Sequence, residues 1–154
     1  METECPACKT QNRVPWERVG QQGKCGSCKE KLPRAIGPFD VTPEELDLVL
    51  KGAKVPVLVD FWAPWCQPCR IAGPQVKKAA AELGKDAVVL KVNTEAHPSI
   101  NKRYGIRGIP HFMVFNKGEV ALAKSGLVDA RQLIGYVKEV ASAEPKRPSS
   151  PRPE

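Results

Sequence analysis

Six cysteines carry the reactive chemistry of this sequence. They fall into three pairs of identical spacing: Cys5 and Cys8 in CPAC, Cys25 and Cys28 in CGSC, and Cys66 and Cys69 in WCQPC. A C-x-x-C pair can aim two thiolates at one cation, or it can make and break a disulfide, and its neighbours decide which. The first two pairs are separated by 16 residues, within the range expected of a four-cysteine zinc site. Each would form a knuckle, and the glycines and polar residues of GKCGSCKEKL permit the tight turns that backbone-to-sulfur hydrogen bonds need. A segment so poor in apolar residues needs a staple, so metal binding would itself supply folding energy. Four sulfur ligands leave no open position, which makes such a site structural rather than catalytic. Two disulfides, or a redox pair exposed by chance, are an alternative, and an iron–sulfur cluster a more remote one because its usual spacings differ.

The third pair follows an apolar run, VPVLVDFWA, whose β-branched residues suit a strand buried on both faces. It opens a helical stretch, QPCRIAGPQVKKAAAELG, with Gly84 as C-cap and Pro74 as a kink. A thiolate at a helix N-terminus is stabilised by unpaired backbone N–H groups and the positive end of the macrodipole. Cys66 is therefore read as a partly exposed nucleophile, and Cys69, one turn on, as the shielded partner that resolves a mixed disulfide.

Around this junction the pattern gives a mixed α/β sheet. VTPEELDLVLKG has Thr42 as N-cap, Pro43 at the first helical position, Glu45 closing a capping box and Gly52 as stop. AVVLKVN reads as a second buried strand and HPSINKRYG as a short helix. PHFMVFNKGEVALAKSG reads as a hairpin turning at Asn116-Lys117-Gly118, and DARQLIGYVKEVA as an amphipathic helix with Leu133, Val137 and Val140 on one face. The sum is a βαβ unit, an antiparallel hairpin and a closing helix, with helices on both faces. Composition divides the chain into a cysteine-rich segment at 1–34, this α/β region at 36–142, and a disordered Pro/Ser/charged tail at 143–154.

VDFWAPWCQPCR, YGIRGIPHFMVFNKGE and KSG together resemble the thioredoxin family over residues 38 to 142. CPACKTQNRVP and GKCGSCKEKL resemble the zinc ribbon that precedes the domain in the bacterial thioredoxin 2 group. The resemblance implies a thioredoxin fold with a small N-terminal ribbon, and a protein-disulfide reductase in which Cys66 attacks the substrate and Cys69 releases product. Asp60 matches the family's buried carboxylate, its pKa raised by burial so that it takes a proton from Cys69 through water. Lys91 matches the lysine near that carboxylate. Pro110 matches the cis-proline beside the disulfide, and the Ile109-Pro110 peptide would offer backbone hydrogen bonds to an extended substrate. Trp62, Trp65, Pro68 and Gly126 match the apolar rim. From the residues alone, Asp60 could also be an edge or bulge residue, Lys91 could snorkel to solvent, and Trp62 could be plain core.

Two departures matter. Gln67 stands where the family has Gly, which touches the redox poise. Pro68 is kept, so the potential is expected nearer the roughly −270 mV of thioredoxin than the roughly −120 mV of its strongly oxidising relatives. His111 follows Pro110 where Thr is common. It could contact substrate or tune the thiolate, but it is read as a surface residue; His97, before a proline at a helix start, reads as a cap or a surface residue.

Composition sets the outer limits. No apolar run approaches the roughly 18 residues of a membrane helix, and the N-terminus lacks a secretory core, so a cytoplasmic, reducing setting is expected. The net charge of +7 splits as seven Lys/Arg against four Asp/Glu in residues 1–38, 14 against 11 in 39–142 and three against two in the tail, which reads as solvated surface. Partners expected are disulfide-bearing proteins and an NADPH-dependent thioredoxin reductase, with a monomeric chain holding zinc and no bound organic cofactor. Two other readings remain. Oxidation could expel zinc and make the ribbon a redox-regulated binding module. Trp16, Arg13, Arg18 and Lys24 could face nucleic acid, though they make a poor stacking platform.

Overall fold

The computed structural model describes residues 1–143; the tail expected to be disordered lies outside them, save Ala143. An N-terminal hairpin pairs β1 (Glu2–Glu4) with β2 (Gln11–Arg13) in antiparallel register. A five-stranded mixed sheet comes next, in the order β3 (Phe39–Asp40), β5 (Val88–Asn93), β4 (Val57–Trp62), β6 (His111–Asn116), β7 (Glu119–Ser125). β5 runs parallel to both β3 and β4, whereas β6 is antiparallel to β4 and β7.

Alternation along the central strands builds two cores. Val57, Val59 and Phe61 of β4 pack with Leu46 and Val49 of α1 (Pro43–Gly52) and Ile100 of α3 (Ser99–Tyr104). Leu58 faces the other way, onto α2 (Gln67–Leu83) and α4 (Ala130–Ala143), meeting Val76, Leu133 and Val137. Period-2 residues on a strand with both faces covered must all be apolar, which is why β4 reads as an unbroken run with one exception, Asp60.

The helix ends follow the sequence signals. Thr42 accepts from the Glu45 N–H and Glu45 accepts from the Thr42 N–H, closing the capping box. Gly84 ends α2 with φ +53, and α2 runs through Pro74. The β6–β7 turn is shorter than expected: Lys117 and Gly118 alone form it, both with positive φ, as a type I′ turn requires. β3 has no counterpart in the sequence reading, since two residues carry no periodicity.

The cysteine-rich segment is not a free appendage. Val14, Trp16 and Val19 join the core on the α1 side, Trp16 packs edge-on against Phe39, and Gln21 donates to the Gly52 carbonyl. Gly52 is more than a helix stop, because a Cβ there would collide with the Glu17 carbonyl oxygen. Gly20 meets Val88, the first residue of β5, which pairs with Val57, the first of β4. The ribbon thus docks where β4 and β5 begin, at the opposite end of the sheet from the WCQPC loop.

Candidate active site and metal centre

β4 ends at Trp62, and α2 begins at Gln67 with Cys66 as its N-cap. The Cys66 Sγ accepts the N–H of Cys69 at 3.2 Å, so a sulfur takes the place of the usual capping oxygen. Pro68 sits in the first turn, where a missing N–H costs nothing. Cys66 and Cys69 are joined in a disulfide with Cα atoms 5.2 Å apart. Both are buried, at 3 % and 5 % exposure, beneath the half-buried Trp62 and Ile109. The expectation of a partly exposed Cys66 is therefore corrected for this oxidised state: the bond to Cys69 and the two flanking side chains cover it.

Around the disulfide, Ile109 and Pro110 are joined by a cis peptide, and the Ile109 carbonyl oxygen lies 3.7 Å from the Cys66 sulfur. Gly126, at φ +100, donates its N–H to the Pro110 carbonyl at 2.9 Å. Trp65 is 68 % exposed, and Gln67 and Pro68 are also at the surface. Sequence reasoning passed over Arg70, whose Nε and Nη2 both donate to the Pro64 carbonyl at 3.1 and 2.8 Å and so clasp the loop from outside.

Asp60 is 1 % exposed, on the α2/α4 side of β4, and neither carboxylate oxygen has a hydrogen-bond partner among the described residues. Burial pushes its pKa up to about 7; Lys91 draws it back and Asp40 pushes it further. Lys91 stands opposite Asp60 on β5, and Asp40 opposite Lys91 on β3, a row that only the register reveals. Rather than closing an ion pair, the Lys91 ammonium sits over the Trp62 ring, 4.8 Å from its centroid.

His111 is not a surface residue. It is 9 % exposed, faces Phe61 across β4–β6, and its Nδ1 lies 2.7 Å from the Ser125 hydroxyl, while Nε2 is buried without a partner among the described residues. Burial lowers its pKa. The position is the first of an inner strand, so its side chain is committed to the core side by the same alternation that buries Met113 and Phe115. His97 is half-buried and accepts through its carbonyl at the start of α3.

At the other end of the molecule, the sulfurs of Cys5, Cys8, Cys25 and Cys28 all lie within 4.8 Å of one another. Cys5 and Cys28, and Cys8 and Cys25, approach to 3.6 Å. Four sulfurs at about 2.3 Å from one tetrahedral ion would stand about 3.8 Å apart, so the set fits a zinc-sized cation. The two knuckles are built alike: Lys9 and Lys29 take left-handed φ of 66° and 67° and donate to the carbonyls of Cys5 and Cys25. Cys25 is lowered to about 6, first by the backbone N–H of Cys28 and then by the Asn12 amide, which also holds Gly26. Donors aimed at sulfur favour the thiolate that a metal needs.

Known proteins agree with this geometry. The family model Thioredoxin matches residues 38–139, and the zinc-ribbon model Thioredoxin 2, N-terminal matches residues 4–30. Thioredoxin C-3 of Corynebacterium nephridii is 30% identical over 129 residues, spanning 84% of this chain and 88% of that protein. Thioredoxin of Rickettsia bellii is 39% identical over 98 residues, 64% of this chain and 93% of its own. Among solved structures, a mutant thioredoxin from Halobacterium salinarum superposes with a TM-score of 0.61 at 30% identity, covering 68% of this chain and 93% of its own. Chloroplastic thioredoxin z, at 24% identity, shares the fold with a TM-score of 0.65 over 70% of this chain and 97% of its own. With its disulfide at the β4–α2 junction and these matches along most of its length, the chain belongs to the thioredoxin family and is a thiol–disulfide oxidoreductase.

Proposed function

We propose that this protein reduces the disulfides of other proteins through a Cys66–Cys69 dithiol cycle, with one structural zinc held by Cys5, Cys8, Cys25 and Cys28. The observation that carries the reading is the placement of Cys66 as N-cap of α2, beside the cis Ile109–Pro110 peptide and downstream of Asp60 on β4, a buried carboxyl without a hydrogen-bond partner among the described residues. In the reduced enzyme the Cys66 thiolate, favoured by the helix N-terminus, attacks one sulfur of the substrate disulfide. A mixed disulfide forms and the first substrate thiolate leaves. Cys69 gives its proton to Asp60 through water, and its thiolate attacks the Cys66 sulfur. The second substrate thiolate departs, the Cys66–Cys69 bond forms, and two electrons have moved to the substrate. Lys91 moderates Asp60 so that its carboxyl exchanges protons near neutral pH.

Trp65, Gln67 and Pro68, with Ile109 and Gly126, form the face on which an extended substrate lies, with Pro110 buried behind it, and the Ile109 carbonyl is an acceptor beside the reacting sulfur. An NADPH-dependent thioredoxin reductase returns the pair to the dithiol. Bound zinc supplies cross-linking energy to the ribbon and takes no part in electron transfer. Four free thiols in contact range fit a cytoplasmic, reducing setting, where the chain would act as a monomer. The functional units would be the ribbon at 1–34, the thioredoxin domain at 36–142 and the tail at 143–154.

The test is dithiothreitol-driven reduction of insulin by the zinc-loaded protein and by Cys66→Ser. Acceleration by the first alone is expected; equal inactivity of both, properly folded, sinks the reading. A potential above about −200 mV would instead make the protein an oxidant. Exposure of Cys8 and Cys28 supports a second role, in which peroxide couples ribbon thiolates and releases zinc. Zinc that stays bound until peroxide also destroys the fold rules that role out.

A further inference from the structure

The ribbon carries a cleft that none of the six cysteines lines. A cavity of about 180 Å³ opens between β2, the docking segment after it and the chain at Leu32–Pro33. Its charged lining is of one sign: Arg13, Arg18 and Lys24 face it, and among the described residues no carboxylate does. All three are exposed, and among the described residues none forms an ion pair. Glu2 stands opposite Arg13 in the β1–β2 register without closing one. The floor is apolar, from the half-buried Val14 and the buried Leu32, which packs against Cys5 and Cys25.

We propose that this cleft docks an acidic peptide segment of a protein partner, with one aliphatic side chain seated on Val14 and Leu32 and flanking carboxylates set against Arg13, Arg18 and Lys24. Charge complementarity selects the partner's sign: three unpaired cations around one concavity repel each other until anions arrive. Size selects its class. Small-molecule sites start at about 300 Å³, so this cavity seats a side chain rather than a whole metabolite. Nucleic acid is disfavoured because no aromatic residue lines the cleft, and Trp16, the nearest in sequence, packs its ring on Phe39 in the core. The site also stands clear of the chemistry. The ribbon contacts the start of β4 and β5, whereas Cys66 comes after the end of β4, six residues or about 20 Å along the strand. A partner docked here leaves the disulfide open.

Fluorescence anisotropy of a labelled peptide, one leucine between pairs of acidic residues, tests this on the full, zinc-loaded chain. Saturable binding is expected, at least tenfold weaker in Arg13→Glu/Arg18→Glu, and weaker again when the peptide's leucine becomes serine. Insulin turnover by that variant should equal the parent's. Should the double variant lose its metal, Lys24→Glu takes its place, with the same direction expected. Absence of saturable binding, equal binding by the charge-reversed protein, indifference to the leucine, or tighter binding of an oligonucleotide of equal charge would each overturn the proposal.

Discussion

The ribbon and the sheet domain use the same four-residue device and obtain opposite chemistry from it. In all three C-x-x-C pairs the N–H of the fifth residue donates to the carbonyl of the first cysteine: Lys9 to Cys5, Lys29 to Cys25, Arg70 to Cys66. The three turns part company at that fifth residue. Lys9 and Lys29 turn left-handed and send the backbone away, which makes a knuckle. Arg70 stays right-handed and the turn grows into α2. A knuckle facing a second knuckle holds four sulfurs around a point, whereas a lone pair on a helix has only its own partner to bond. Spacing alone is therefore silent about function. The backbone just after the second cysteine, and the group that stands opposite the pair, decide it.

The largest expected effects come from breaking each pair in turn. Cys66→Ser should drop insulin reduction to the uncatalysed rate while zinc content, read by atomic absorption, stays at one per chain. Cys25→Ser should do the converse, losing the metal while the folded domain keeps most of its turnover. Zinc loss in the first or full inactivity of a folded second variant would show that the two sites are one machine.

Asp60 sharpens the comparison from the domain side. Its carboxyl is raised from the ordinary carboxylate range to about 7 by burial, so ionising it costs the fold. A folded pKa above the unfolded one gives stability that is full below about pH 4 and is lost as pH rises through 7. Three pH units amount to about 4 kcal/mol. Asp60→Asn should accordingly raise the melting temperature at pH 8, lose that advantage near pH 4, and slow the release of mixed disulfides. A flat difference across pH would mean that ionisation of the carboxyl carries no burial penalty. The domain's core is large enough to carry such a penalty; the ribbon's own core is Cys5, Cys25 and Leu32.

That inequality also sets how the regions are coupled. Chelating the metal should release the ribbon and withdraw Val19 and Trp16 from the α1 side of the domain. Exposing them costs about 2–3 kcal/mol, or a fall on the order of 5–10 °C in the domain's melting temperature. Calorimetry before and after chelation measures it, and an unmoved transition would mean that the ribbon is only tethered. Gly52→Ala should mimic part of this fall with zinc still bound, because its Cβ meets the Glu17 carbonyl.

Legibility in the sequence tracks the range of the forces involved. The strand-to-helix junction and the capping box at Thr42 are local patterns, written within a few residues of chain, and the four-cysteine cluster shows as two identical pairs separated by 16 residues. Asp60 stood out because a carboxylate in an otherwise apolar run has no cheap explanation. His111 misled because a lone histidine at a strand start is polar in isolation; only the pairing with Phe61 and Ser125 places it inside. Arg70 and Asp40 gave no signal at all. Arg70's clasp depends on a loop bending back to it, and Asp40 acquires meaning from a two-residue strand that sequence periodicity cannot register. Docking of the ribbon was invisible for the same reason, since Val19 meets its core only in three dimensions.

Asp40 offers the smallest and most discriminating test of that hidden register. It lies on the far side of Lys91 from Asp60, and its charge adds to the upward push on the buried carboxyl. Two strand spacings are about 10 Å. At that distance two charges interact by about 0.4 kcal/mol in water, a few tenths of a pH unit. Asp40→Asn should therefore move Asp60 downward, visible as an acid-side shift in the pH profile of mixed-disulfide resolution and in the carboxyl's NMR titration. Since Asp40 is exposed, salt should erase the difference between variant and parent. A shift that survives high salt, or runs to the alkaline side, would mean that Asp40 acts by holding Lys91 in place rather than through its field, and would break the row that the strand register draws.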